Sequence, residues 1–304
     1  METTETIKFQ RQFDSYIGDM NKFKSKWQDF ETYPKMALDK SDYQDELTPF
    51  HGLEIFDTLT KEIKENLFIE YVKFLSEVQI YFEQLVVYAF RSLRERYSLD
   101  KTDKDIVNKF IYEEVYHSIA FRNFLSSQKQ FDWPREYNVP KVKMLRKFIC
   151  FCIRKNPLAV TLPGAKLEAF TVEYSKLIKN VYKDNHTNAW SLINHYHHID
   201  EAVHVNVEMY IYKKYIGTKS SLGTLLSTFA FVGFLQVILF FGCKNVVKRS
   251  FPKMGLLETM KWTLRMGKWA VRDLRPYRQA LKVTERNFDK YQPKYKKILK
   301  FIYW

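Results

Sequence analysis

Glycine and proline are scarce, nine of each in 304 residues. So few chain breakers, set among long amphipathic runs, exclude a turn-rich architecture and point to an all-α protein. Cysteine is scarcer still. Cys150, Cys152 and Cys243 are an odd, sparse set that excludes a disulfide framework and fits a reducing, cytoplasmic setting. Cys150-Phe151-Cys152 does not have a zinc spacing and is expected to fill space on a buried helix. The first residues, Met1 to Lys8, lack a basic stretch followed by an apolar run, so no secretory signal is expected. No zinc-finger or RNA-binding signature is present, and nucleic acid is not expected as a partner.

Hydrophobic residues make up 46% of the chain and aromatics 17%, enough for a sizeable core. The formal charge is +14, and the excess gathers in residues 244–304. A tail of that sign suits an anionic membrane surface or an acidic redox protein.

The pattern divides into three parts. Residues 1–52 read as an N-terminal arm with one or two helices, the first at about 6–30, and turn signals near Pro34 and Asp42. Residues 53–217 read as helix, short loop, helix, long crossover, helix, short loop, helix. The first helix is expected over 53–97 with a break near Glu65-Asn66, and the second over 103–126 behind a cap at Thr102-Asp103. A crossover helix follows at 141–155, then a helix over 165–183 preceded by Pro163-Gly164, and a last one from Thr187 to Tyr215. Two helical hairpins joined by one long connection make the topology of ferritin-like four-helix bundles. Residues 218–304 add an apolar helix or helical pair and basic C-terminal helices.

One pattern occurs twice in those hairpins. Glu113-Glu114-Val115-Tyr116-His117 and Asp200-Glu201-Ala202-Val203-His204 each read acid, Glu, two spacers, His. On a helix, i and i+3 share a face, so each copy aims a carboxylate and an imidazole at one point. Two such copies, with one Glu from each partner helix, are the donor set of a two-metal carboxylate site. Depth along the hairpin selects the partners. Glu83 lies 14 residues before Tyr97 and Glu114 lies 12 after Thr102, which levels them to about 3 Å at the helical rise. Glu77 would miss by about 12 Å, so it and Glu70 are expected to be solvated. In the second hairpin the same arithmetic leaves Glu173 and Glu168 both open, with mismatches of about 4 and 3 Å against Glu201.

His197, Glu201 and His204 are spaced i, i+4, i+7, one stripe on one face. His195 and His198 fall on other faces. With these residues the segment His197-His198-Ile199-Asp200-Glu201-Ala202-Val203-His204 resembles the p-aminobenzoate N-oxygenase family of di-iron oxygenases, which carry an added histidine ligand one turn before the last Glu-x-x-His. The resemblance covers about residues 68–215. It implies metal ligands Glu83, Glu114, His117, His197, Glu201 and His204, and favours Glu173 for the seventh. It also implies two iron ions rather than manganese, a reduced centre that binds O2 and forms a peroxo di-ferric oxidant, an electron donor, and an amine or arylamine as substrate. Metal-bound histidines usually donate their outer N–H to a carboxylate. Asp200 is the expected partner of His117, and Glu113 that of His204. Tyr116, Tyr196, Phe170, Phe82 and Tyr174 are the aromatics near enough by spacing to line a substrate pocket. The rival readings are a hydroxylase or desaturase acting on carbon, such as that of a lipid, and a metal-binding bundle that oxidises nothing.

Ser220 to Cys243 is a run of 24 residues without a charge. A helix of that length can cross a bilayer, which needs about 20 residues. It can equally be buried on the bundle or in a homodimer, and burial is the expectation here. A membrane contact would draw on Lys294, Lys296, Lys297, Lys300 and the terminal Phe301 to Trp304.

Overall fold

The structure, a computed structural model, describes residues 37–128, 143–183, 188–215 and 221–272, together with residue 282. The helix expected at 6–30, Pro34 and the terminal Lys294, Lys296, Lys297, Lys300 and Phe301 to Trp304 lie outside these residues. Everything described is helix, short 3-10 turn or connection, with no strand among the described residues. After 3-10 turns at Lys40–Asp42 and Asp45–Leu47 come a single helical turn α1 (Glu54–Asp57) and the helices α2 (Lys61–Arg96), α3 (Lys101–Ser127), α4 (Lys143–Lys155), α5 (Leu158–Tyr182), α6 (Ala189–Tyr215), α7 (Ser221–Ser250) and α8 (Leu256–Arg272).

Four of these helices position the site. Within each hairpin α2 lies on α3 and α5 on α6, and across hairpins α3 meets α6 and α2 meets α5. The contacts close a ring. α2 starts at Thr60, whose side chain accepts from the Ile63 amide, and runs without the expected break at Glu65-Asn66. Glu65 is buried there between Lys40 and Lys61, so the polar pair is absorbed by ion pairs and the helix continues. α3 is capped by Asp100, which accepts from the Asp103 amide at 2.8 Å, two residues earlier than expected. Asp103 is thereby freed to hold Tyr210 and Lys214 of α6.

α5 departs most from the sequence expectation. It begins at Leu158, seven residues early, with Pro163 inside it. Proline has no N–H to give the carbonyl four residues back, that of Ala159. The Thr228 hydroxyl of α7, which also meets its own Thr224 carbonyl at 2.9 Å, lies 3.2 Å from that carbonyl, so a partner distant in sequence offsets part of the penalty. α5 ends where Lys183 adopts a left-handed conformation (φ 51°).

α4 is half-buried rather than core. Cys150 and Cys152 are partly exposed, and Phe148 and Phe151 face outward. α7 is one unbroken helix lying on α2, α5, α4 and α8. It alone among the described helices is long and apolar enough to cross a membrane, and 44% of that stretch is buried. Phe231, Phe234 and Ile238 face inward, and Leu226, Phe229, Val237, Leu239 and Phe241 face outward. The expected burial is thus met on one face only.

Candidate metal centre

α2, α3, α5 and α6 each carry a seam of inward positions, and polar ligands interrupt those seams at one level. Glu83, Glu114, His117, Glu168, His197, Glu201 and His204 are all buried there. Two overlapping sets could each hold an ion: Glu114, His117, Glu201 and His204, and Glu83, His117 and His197. Glu201 joins the two halves. Its Oε1 lies 3.2 Å from His117 Nδ1 and also contacts His197 Nε2, and its Oε2 lies 3.2 Å from His204 Nδ1. Glu114 sits 2.8 Å from His204 Nδ1 and 3.7 Å from His117 Nδ1. Glu83 lies 3.3 Å from His197 Nε2, and its other oxygen accepts from Ser118 at 2.9 Å.

The carboxylate that α5 turns inward is Glu168, where Glu173 was expected. Five helical residues separate the two, about 140° of rotation at 3.6 residues per turn, so one faces inward only if the other faces out. Glu168 is buried, with its carboxyl beside that of Glu201. Glu173 is half-buried and pairs with the exposed Lys176 at 2.6 Å, away from the cluster. The signal was present in the sequence. Gly164, Glu168, Thr171, Ser175, Ile178 and Tyr182 repeat with 4-3 spacing, and that is the buried seam of α5.

Both outer carboxylates stand beside the expected imidazoles. Asp200 Oδ2 is 3.2 Å from His117 Nε2, and Glu113 Oε2 is 2.9 Å from His204 Nε2. Lys109, also buried, neutralises Glu113 at 3.6 Å. An outer carboxylate holds the proton on Nε2 and leaves the Nδ1 lone pair facing the cluster. Both motif histidines therefore present Nδ1 inward, and His197 presents Nε2. Asp200→Ala is expected to weaken metal occupancy about 10- to 100-fold. Metal content at limiting metal measures it, and full loading would remove Asp200 from this role.

The other residues singled out in the sequence divide. Phe170 and Tyr174 line a cavity beside the site. Phe82 is plain core, Tyr116 contacts Tyr112, and Tyr196 contacts His195. Glu70, expected to be solvated, is instead half-buried and pairs with the buried Lys73 and with Arg249. Glu77 is buried, against expectation. Glu208 was not anticipated at all. It extends the stripe His197, Glu201, His204 by four residues and is fully buried, with neither oxygen hydrogen-bonded. Its carboxylate occupies the space a side chain at Gly164 would fill, so that glycine permits the approach of α6 to α5.

The donor chemistry fits metal ions. Glu83 Oε1, both oxygens of Glu114, Glu201 Oε1 and both ring nitrogens of His197 are buried with no hydrogen-bond partner of proper geometry. Unsatisfied buried polar atoms are costly, and the groups converging here could hold a metal ion. In the metal-free chain protons fill part of that role. Burial pushes Glu83 up to about 7, against the opposing pull of His197. Burial and the charges of Glu201 and Glu114 hold Glu168 well above the carboxylate range, and burial with Glu114 does the same to Glu208. Burial would lower His117, but Asp200, Glu114 and Glu201 outweigh it and raise the imidazole well above its ordinary value. Glu201, which burial would raise, is instead held well below the ordinary range by His197 and His204.

Comparison with protein-family models, with curated proteins and with solved structures returned no match.

Proposed function

We propose that the chain is a non-haem di-iron oxygenase that activates O2 and oxidises an organic substrate, built on a ferritin-like four-helix core of α2, α3, α5 and α6. The observation that carries this reading is the convergence of three imidazoles and three carboxylates, from α2, α3 and α6, on one buried point with Glu201 between the two halves, and a further buried carboxyl, Glu168 of α5, beside Glu201. Mixed carboxylate and imidazole donors of this kind suit iron and oxygen chemistry. When bound, two iron ions supply the redox equivalents for O2 activation, renewed by an external reductant.

The chain supplies position, protons and exclusion of water. Asp200 and Glu113 fix the tautomers of His117 and His204. Ser118 holds one oxygen of Glu83, leaving the other for metal. Phe110 lies 4.4 Å from the His204 ring and Phe121 lies 5.3 Å from His197, so aromatic walls close the site on two sides.

The resemblance to N-oxygenases favours an amine or arylamine substrate. A second reading, oxidation at carbon, is favoured by the neighbouring cavity, whose lining contains no acidic residue to hold an ammonium group. Protein expressed with ample iron is expected to hold about two ions per chain, as a paired carboxylate site requires, and to show a transient absorbance when O2 meets the reduced form. No iron, or iron taken up and stored without consumption of O2 beyond its own oxidation, would overturn the oxygenase reading.

A further inference from the structure

The cavity beside the centre has a volume of about 580 Å³, well within the range of about 300–1,000 Å³ typical of small-molecule sites. It lies between α2, α5, α7 and α8. Its lining is overwhelmingly apolar, and the charged side chains in it are Lys166 and Lys268.

Its inner end is placed by four residues, one on each helix that carries ligands. Gln79 precedes Glu83 by four residues, Phe121 follows His117 by four, Thr171 follows Glu168 by three, and Asn194 precedes His197 by three. The hairpins are antiparallel, so all four steps lead toward the same end of the core. On α2, α3 and α6 the lining therefore stops about one helical turn, roughly 5 Å, short of the ligands, and on α5 it runs past the level of Glu168. Phe121 joins the two, since it lines the cavity and meets the His197 ring edge-on. The opposite end opens between α7 and α8, where Leu239 is 40% and Leu264 62% exposed and Lys268 is exposed. Along α5 the lining runs from Leu162 to Tyr174, about 18 Å of helix. The space is long for its volume.

A long apolar channel with an apolar rim, a cation at the mouth and no acid in its walls selects an amphiphile. We propose that this cavity is the substrate chamber of the metal centre and that its ligand is an unbranched aliphatic chain with an anionic end. The chain runs from α7 and α8 inward to Phe121, and the anionic end stays at the mouth beside Lys268. This rests on the reading of the buried cluster as an oxygen-activating centre, and it gives the carbon-oxidation reading its substrate class.

The test is displacement of a fluorescent fatty-acid probe from the iron-loaded protein by octanoate, dodecanoate and hexadecanoate. Affinity is expected to rise with length, by up to about fourfold per added methylene, and to level off once the chain fills the channel. Leu235→Trp, which places a ring in the channel, is expected to weaken hexadecanoate at least about tenfold through overfilling, with circular dichroism confirming the fold. Lys268→Glu, on the exposed rim, is expected to weaken it about fivefold, the scale of a surface charge reversed. Adding hexadecanoate is also expected to shift the visible spectrum of the iron-loaded protein.

Loss of probe to p-aminobenzoate but not to any fatty acid would overturn the proposal while leaving the metal centre intact. Hexadecanoate binding without any spectral change would overturn the link between chamber and centre. Chain-length-dependent binding to a protein that takes up no iron would support the ligand class and overturn the oxygenase reading on which its role as substrate depends.

Discussion

Replacing Glu201 by alanine is expected to strip both metal positions at once. Glu201 is the carboxylate of the cluster that touches all three imidazoles, one oxygen toward His117 and His197 and the other toward His204. Loss of an outer carboxylate alone costs about 10- to 100-fold in metal affinity, so loss of the shared ligand is expected to cost more than about a hundredfold. The site then lacks the charge that holds three imidazoles in a buried space, and its remaining donors no longer face a common ion. Metal analysis of the purified variant beside the parent protein reads the effect directly, and circular dichroism reports whether the helices persist. Glu168→Ala is expected to lower metal content as well, because that carboxyl lies against Glu201. Glu173→Ala is expected to leave it unchanged, because Glu173 pairs with Lys176 away from the cluster. A Glu201→Ala protein that still held two irons, or a Glu173→Ala protein that lost them, would mean that this cluster is not the metal centre.

How far the site was legible in the sequence follows from which interactions are local. Glu114 with His117 and Glu201 with His204 are one-turn neighbours, and the helical repeat alone brings each pair together. Glu83 followed from levelling two helices joined by a short loop, since Arg96 and Lys101 tie their ends together. Glu168 needed rotation as well as depth. A helix five residues off in phase turns its face away, and only the seam running through Gly164, Thr171 and Ser175 carried that information. Glu208 was legible by the same seam rule. It escaped because a lone glutamate past the motif looks solvated until Gly164 is seen to leave room for it.

What stayed hidden depends on partners far along the chain. Pro163 marks a helix start on any local rule, yet Thr228 offsets part of the loss of its donor from 65 residues away. Glu65-Asn66 looked like a break because Lys40, its ion-pair partner, precedes the helix and belongs to another element. The half-exposed face of α4, and the two-sided character of α7, likewise follow from which neighbours α2 and α5 offer rather than from composition. The cavity is the extreme case. Phe170 and Tyr174 were candidates by spacing, but the walls from α7 and α8 lie beyond the stretch that carries the motifs.

Removing the metal is expected to destabilise the protein, and by an amount that grows with pH. The metal-free chain buries Glu83, Glu168 and Glu208 with raised carboxyl values and His117 and His197 with raised imidazole values. A group raised by folding contributes stability below its unfolded value and loses it as pH climbs through its folded value. For Glu83 that window runs from the ordinary 4.5 to about 7. His117 and His197 lose theirs above the ordinary 6.5. Glu114 and Glu201 are shifted down, so their contribution is lost only as pH falls below the ordinary 4.5. Between pH 5 and 8, then, the groups named here make the metal-free chain weaken as pH rises. Metal binding has the opposite sign, because ligands must shed protons to bind and affinity increases with pH. Two sites each at a hundred times their Kd would add about 5 kcal/mol, a Tm rise of about 10 °C for a chain of this size. Thermal unfolding of metal-free and metal-loaded protein across pH 5 to 8 is expected to show two curves that diverge, the metal-free one falling. Curves that coincide, or a gap that narrows toward pH 8, would mean that the buried carboxylates and imidazoles are satisfied by one another and not by metal.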